Sequence, residues 1–173
     1  MGEQELNALF DRLRAGDTGA FEELYHGMKT PLYTVICRMV HTRETAEDVL
    51  QELFLKLYRS PPEPQVAKKR AWIYRMACNL AVDALRKKEH TELTEDHVPT
   101  ENGMAERICL RLDLDRAMAA LPLEMREIAA LHLTGGLAFR EIAAVTGLSL
   151  PAVYRRYRSA LAELRNALNG GTI

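Results

Sequence analysis

Apolar residues recur at intervals of three and four along most of this chain, the spacing that gathers them on one face of a helix. Leu6, Leu9, Phe10 and Leu13 mark a first helix over Glu3 to Arg14, which Gly16 ends and Asp17 follows with the start of the next. Phe21, Leu24, Tyr25, Met28, Leu32, Val35, Ile36 and Met39 form a second stripe. It continues past Pro31, which is expected to kink the helix or open a new turn. Ala46, Val49, Leu50, Leu53, Phe54 and Leu57 define a third helix from Thr45 to Tyr58. Ser60, Pro61, Pro62, Glu63 and Pro64 cannot continue it, so an irregular loop precedes the next stripe, Trp72, Ile73, Met76, Ala77, Leu80, Val82, Ala84 and Leu85. Ile108 to Ala119 and Glu124 to Leu133 read as two further helices, parted by Leu121 and Pro122 and closed by Gly135 and Gly136. No convincing alternating strand and no repeat occurs, so the expected fold is all-α.

The segment Ala138 to Leu164, AFREIAAVTGLSLPAVYRRYRSALAEL, reads as a helix-turn-helix. Phe139, Ile142 and Ala143 share a face, Gly147 sits where the chain reverses, and Ser149 is placed to cap a second helix with Pro151 in its first turn. Val153, Tyr157, Ala160, Leu161 and Leu164 then point inward, which turns Tyr154, Arg155 and Arg158 outward toward a partner. Taken alone, the same segment also fits a solvated helical hairpin kept soluble by its arginines.

Charge separates the chain into parts although its formal net charge is only −1. Lys68, Lys69, Arg70, Arg75, Arg86, Lys87 and Lys88 make one basic block, and Arg155, Arg156 and Arg158 another. Between them Glu89, Glu92, Glu95, Asp96, Glu101 and Glu106, together with Pro99, Asn102 and Gly103, read as a flexible acidic linker. Two small helical domains, 1–90 and 107–173, joined by a linker over 91–106, are therefore expected. Cys37, Cys78 and Cys109 are odd in number and set among apolar neighbours, which favours buried free thiols over disulfides or a metal site. No apolar run approaches the roughly 20 residues of a membrane span, so a cytoplasmic protein without membrane insertion is expected.

Thr45 to Arg59, TAEDVLQELFLKLYR, followed by Ala71 to Lys88, AWIYRMACNLAVDALRKK, resembles the second conserved region of bacterial sigma factors. The stretch LPLEMREIAALHLTGGLAFREIAAVTGLSLPAVYRRYRSALAELR, beginning at Leu121, resembles their fourth region. With only a linker between the two, the chain resembles the compact extracytoplasmic-function (ECF) sigma factors from about Asp17 to Leu168. Two motif blocks in the right order are far more specific than a lone helix-turn-helix.

The resemblance assigns roles that spacing alone leaves open. Asp48, Gln51 and Glu52 on one helix could be ordinary solvated surface. By resemblance they dock on the clamp of the largest subunit of core RNA polymerase. Lys68, Lys69, Arg70, Arg75, Asn79, Arg86, Lys87 and Lys88 would hold or read the minus-ten element, with the loop Ser60 to Lys69 receiving an unstacked base. On spacing alone this is equally a solvated face, in which Asp83 pairs with Arg75 or Arg86. The loop is richer in proline and poorer in aromatics than in the family at large, so its base pocket is not assigned to particular residues. Ser149, Tyr154, Arg155, Arg156, Arg158 and Ser159 would contact the minus-thirty-five duplex, with Arg156 open to a phosphate or intradomain contact as well as base readout. Pro151 and Ala152 replace a usual glycine and threonine, Ser159 stands where many relatives carry arginine, and Ala138 in place of serine or threonine weakens a helix cap by about 1 kcal/mol.

The function implied is promoter-specific transcription initiation and promoter melting with core RNA polymerase, whose second-largest subunit's flap would hold region four. No phosphate loop, catalytic triad or metal constellation is present, so neither enzymatic activity nor a cofactor is expected. A cognate anti-sigma factor is a further implied partner. An autonomous dimeric regulator would use the same helix-turn-helix but needs neither the Asp48 to Phe54 helix nor the Trp72 to Arg86 block. A zinc-type anti-sigma factor would need His and Cys at ligand spacing, which is lacking.

Overall fold

Among the residues whose side chains are described, the apolar stripes lie on buried helix faces. The computed structural model describes residues 1–40, 42–92 and 107–169, with side chains over 1–40, 42–87 and 114–169. The helices are α1 (Glu3–Arg14), α2 (Thr18–Val40), α3 (Arg43–Arg59), α4 (Lys69–Glu92), α5 (Arg107–Ala120), α6 (Leu123–Leu133), α7 (Phe139–Thr146) and α8 (Leu150–Asn169). No strand occurs among the described residues. The linker expected over 91–106 falls outside them, apart from two positions at the end of α4.

α1, α3 and α4 pack around α2, and Leu6, Phe10, Leu24, Leu32, Ile36, Leu53, Leu57 and Ile73 are sealed from solvent between them. Pro31 neither ends nor splits α2, contrary to one of the two expected outcomes. A proline inside a helix costs about 3 kcal/mol through its lost N–H and ring clash. Met28, Leu32, Val35 and Ile36 lie fully buried on either side of it, and that burial outweighs the cost.

α5, α6, α7 and α8 form the second lobe around Met118, Ile128, Leu131, Ile142 and Val153. The helix-turn-helix folds as its sequence predicts, with Gly147 in the left-handed region at φ 72° between α7 and α8. Val153, Ala160 and Leu164 are buried, whereas Tyr157 and Leu161 are only half-buried. Ala138 supplies no side-chain cap to α7, but the Glu141 carboxylate accepts its backbone N–H at 2.8 Å, which recovers half of a capping box.

The lobes also pack on each other, α6 against α2 and α7 against α4. A Cβ on Gly135 would lie 2.7 Å from the Leu131 carbonyl and 3.2 Å from the Tyr74 ring, so only glycine allows this close approach. Arg38 on α2 donates to the Thr134 hydroxyl, and Arg70 on α4 donates to the Gly135 carbonyl. Arg126 on α6 donates to Met118, Ala119 and Leu121 at the end of α5 and to Met39 at the end of α2, at 2.6 to 3.1 Å. One guanidinium thus satisfies carbonyls at two helix C-termini, where a cation is also favoured by the helix dipoles.

Candidate nucleic-acid interface

Three exposed faces carry the residues singled out from the sequence. On α3, Asp48, Gln51 and Glu52 all face solvent. Asp48 and Gln51 border a groove of about 910 Å³ between α2 and α3, floored by Phe21, Tyr25, Tyr33 and Phe54. The ring pairs Tyr25–Phe54 and Phe21–Tyr58, 4.7 and 5.0 Å between centroids, fix its shape. Burial pushes the Tyr33 phenol up to about 12, so it stays a neutral hydrogen-bonding group. Glu52 is paired with Lys56 at 3.0 Å, one turn along, and the groove's polar rim is made by Asp48 and Gln51 together with Lys29, Arg43 and Glu47. The aromatic floor was not singled out in the sequence. Its signal is Leu55 and Tyr58, exposed by 47% and 51% and off the buried row of α3.

On α4, Arg75, Asn79 and Asp83 follow one another along a shallow exposed cleft that Lys56, Trp72, Met76 and Leu80 complete. Trp72 is half-buried, between the core and stacking roles that its sequence allows. Arg86 and Lys87 extend the exposed face, and the Lys88 side chain falls outside the described residues.

Two of the basic residues before them have partners within the protein. Lys69 is only 4% exposed, and its ammonium donates to the Val66 and Pro64 carbonyls at 3.1 and 3.4 Å, so it is a clamp within the loop and not a surface cation. Arg70 is half-buried, donates to Gly135 in the other lobe and lies 5.7 Å from the Tyr74 ring centroid. Lys68 alone of this trio faces solvent.

On α8, Tyr154 is 52% exposed and Arg155 and Arg158 are exposed beside it, while Ser159 is half-buried. Ser149 is exposed, and its carbonyl accepts the Val153 N–H at 3.0 Å at the start of the helix. Arg156 makes an ion pair with Glu124 on α6 at 2.8 Å, the intradomain contact among its three options. The Tyr154 ring stands edge-on to Phe139 at 5.6 Å, and Phe139 stacks on His132 at 4.3 Å. His132 Nδ1 lies 2.8 Å from the Leu137 carbonyl, which can only accept, so this nitrogen carries a proton. The aromatic stack holds α8 and the outward Tyr154 in place on α7.

Cys78 is buried and free, and Cys37 is half-buried and free. Burial, more than its neighbour Glu127, raises the Cys78 thiol well above its ordinary value, which leaves it protonated and inert. Among the described residues no cluster of three or more His, Cys, Asp or Glu could hold a metal, and no helix is long and apolar enough to cross a membrane.

Comparison with known proteins bears on these faces. Residues 24–91 match the family Sigma-70 region 2, and residues 111–164 match Sigma-70, region 4. The ECF RNA polymerase sigma factor SigE of Mycolicibacterium smegmatis is 30% identical over 93% of this chain, which spans 66% of that protein. SigK of Mycobacterium tuberculosis, named likewise, is 28% identical over 95% of this chain and 94% of its own. Among solved structures, CnrH in complex with the cytosolic domain of CnrY aligns over 97% of this chain and 99% of its own, with TM-score 0.77 and 23% identity. The sigma factor RpoE in complex with the anti-sigma factor NepR from Bartonella quintana aligns over 86% of this chain and 96% of its own, with TM-score 0.71 and 19% identity. These two likenesses extend the agreement to the fold.

Proposed function

The chain belongs to the ECF sigma factors, which direct promoter-specific transcription and are not enzymes, and we propose that its three exposed faces divide that work among core polymerase and the two promoter elements. The observation that carries this reading is that each matched region turns one cation-bearing helix face to solvent, Arg75 to Lys87 in the first and Tyr154 to Arg158 in the second. Phosphate contacts from such faces supply affinity, and outward side chains at a helix-turn-helix supply base readout. Arg155 and Arg158 are the base or phosphate contacts on the minus-thirty-five duplex, with Tyr154, Ser149 and Ser159 beside them. Arg75, Asn79, Arg86 and Lys68 serve the minus-ten strand, and loop 60–68 receives an extruded base.

Asp48 and Gln51, at the rim of the aromatic groove, and Glu52 beside them on α3 dock on the clamp of the polymerase's largest subunit, and the second lobe meets the flap of the second-largest subunit. The groove suits a partner helix with apolar side chains flanked by polar ones. The work takes place in the cytoplasm, and an anti-sigma factor, as NepR is to RpoE, is a further partner.

Geometry adds a requirement. The two promoter elements lie about 25 base pairs apart, roughly 85 Å at ~3.4 Å per step, whereas a compact chain of this length has a radius of gyration of about 16 Å. The packed lobes cannot reach both elements at once, so the contacts of Arg38, Arg70 and Arg126 between them must part when the chain is loaded on polymerase.

The test is retention on immobilised core RNA polymerase at moderate salt, followed by a gel shift on promoter duplex. Wild-type protein is expected to be retained and to shift the duplex only with core enzyme, and the Asp48→Lys, Glu52→Lys double variant to lose about tenfold in retention. A chain that binds duplex equally well alone, or a double variant retained like wild type, contradicts the reading.

A further inference from the structure

Loop 60–68 has no sheet pairing; the Glu63 carbonyl accepts the Val66 N–H and the Lys68 carbonyl the Trp72 N–H, both at 3.0 Å, and other carbonyls of the loop are met by side-chain donors. Two side chains outside it supply them. Arg14, at the end of α1, donates to the Pro62 carbonyl at 2.7 Å, and Lys69 donates to Val66 and Pro64. An ammonium as buried as that of Lys69 is tolerated only because those carbonyls replace its hydration.

The helix that follows the loop is tied to α1 as well. Both carboxylate oxygens of Glu3 accept backbone N–H groups at the start of α4, from Lys69 at 3.0 Å and from Arg70 at 3.1 Å. These are amides a helix leaves without internal partners, and a carboxylate is the group that best satisfies them. One end of α1 therefore holds the exit of the loop, and the other holds its entry at Pro62. α1 is itself fixed, with Leu6 and Phe10 fully buried and Leu9 nearly so. All of α1 lies before residue 24, outside the part of the chain that matches Sigma-70 region 2.

We propose that Glu3, Arg14 and Lys69 are positioning residues that hold loop 60–68 in its base-receiving shape, so that base choice at the minus-ten element is governed by a helix that itself contacts no DNA. This rests on the promoter-reading role proposed above for the loop. A rigid loop discriminates among bases because a wrong base cannot recruit a compensating rearrangement, whereas a loosened loop accepts several at similar cost.

The experiment is transcription by core RNA polymerase from a promoter library randomised through both elements, with the transcribed sequences counted. Lys69→Met and Arg14→Ala are compared with wild type and with Lys69→Arg, and core retention and thermal melting of each are recorded. In the first two variants, discrimination at one or two minus-ten positions is expected to fall about tenfold. Discrimination at the minus-thirty-five element and core retention stay at wild-type level, and Lys69→Arg keeps most of its base choice. If Lys69→Met does not fold, Arg14→Ala carries the test, since its guanidinium reaches the loop from the lobe's exterior. Unchanged minus-ten discrimination in Arg14→Ala and in any folded Lys69→Met overturns the proposal, as does an equal loss at both elements. Wild-type protein that selects no promoter from the library overturns instead the promoter-reading role itself.

Discussion

Two irregular segments adjoin the helices proposed to meet DNA, and they are held differently. The turn between α7 and α8 is closed by its own neighbours. Gly147 takes the left-handed conformation and donates to Ala143, and the amide of Val153 returns to the Ser149 carbonyl. Loop 60–68 has one such turn bond, from Val66 to the Glu63 carbonyl, and is otherwise closed by side chains: the adjoining Lys69 and, from α1, Arg14 on the Pro62 carbonyl and Glu3 on the helix that follows. A segment fixed by local bonds is as stable as its own lobe, whereas a segment fixed by distant polar groups can be retuned from outside without a change in its sequence.

The largest effect that would break this contrast is loss of the aromatic stack beneath α8. Phe139→Ala removes the ring shared by His132, Tyr154 and Tyr157 and is expected to destabilise the second lobe by about 2–3 kcal/mol, less than a fully buried ring because Phe139 is half-buried. Urea denaturation followed by circular dichroism measures it. The same variant should lose dependence on the minus-thirty-five element while still opening minus-ten DNA. Simultaneous loss of both would mean that the two readers are not separately held.

Next in size is Arg155→Ala, expected to cost about 1–3 kcal/mol if its exposed guanidinium is bidentate to a guanine, and only on templates that carry the preferred minus-thirty-five base. Transcription from matched and mutated templates reads this directly. Equal weakening on every template would make Arg155 a phosphate clamp.

A smaller effect comes from Glu127 on α6, whose carboxyl is raised above its ordinary 4.5 chiefly by burial. The facing groups are Cys78 on α4, which hydrogen-bonds to it, Glu124 on its own helix and Arg156 on α8. Below the ordinary value both folded and unfolded chains carry the proton. As pH rises from there through the raised value, the unfolded chain loses it first, so stability falls across that window. Glu127→Gln should flatten the fall in thermal melting temperature, and a variant with the wild-type slope would remove Glu127 as its source.

The smallest effect is local to the helix-turn-helix. Ala138→Ser offers a side-chain cap where α7 now has only the reciprocal Glu141 bond, and is expected to add about 0.5–1 kcal/mol. Thermal melting checks it, and no gain would mean that Glu141 already satisfies that end.

The same contrast explains how much could be read from the sequence. The helix-turn-helix was legible because Gly147, the shared face of Phe139, Ile142 and Ala143, and the outward Tyr154, Arg155 and Arg158 all lie close together in the chain. The prolines of loop 60–68 announced an irregular segment, but its support was not legible. Glu3 and Arg14 look like ordinary ends of an amphipathic helix, acidic first and basic last, and only tertiary packing brings them to α4 and Pro62. The partners of Lys69 and Arg70 were hidden for the same reason, since a run of basic residues says nothing about which of them a loop or a neighbouring lobe will claim. At Pro31 the new turn, one of the two outcomes expected there, gave way to a continuous helix because Met28 and Leu32 are buried around it. The aromatic groove beside Asp48 and the contacts of Arg38 and Arg126 between lobes likewise join residues far apart in the chain.

The most direct test of the central claim, that this chain gives core polymerase the ability to select and open a promoter, is permanganate reactivity of thymines in the minus-ten element. Core RNA polymerase alone, the chain alone and the two together are compared on a duplex promoter recovered from the randomised library. Unpaired, reactive thymines are expected only with both present, and fewer of them when Arg75, Asn79 and Arg86 are replaced by alanine. Thymines that stay unreactive with both proteins present, or that react equally with core polymerase alone, would contradict it.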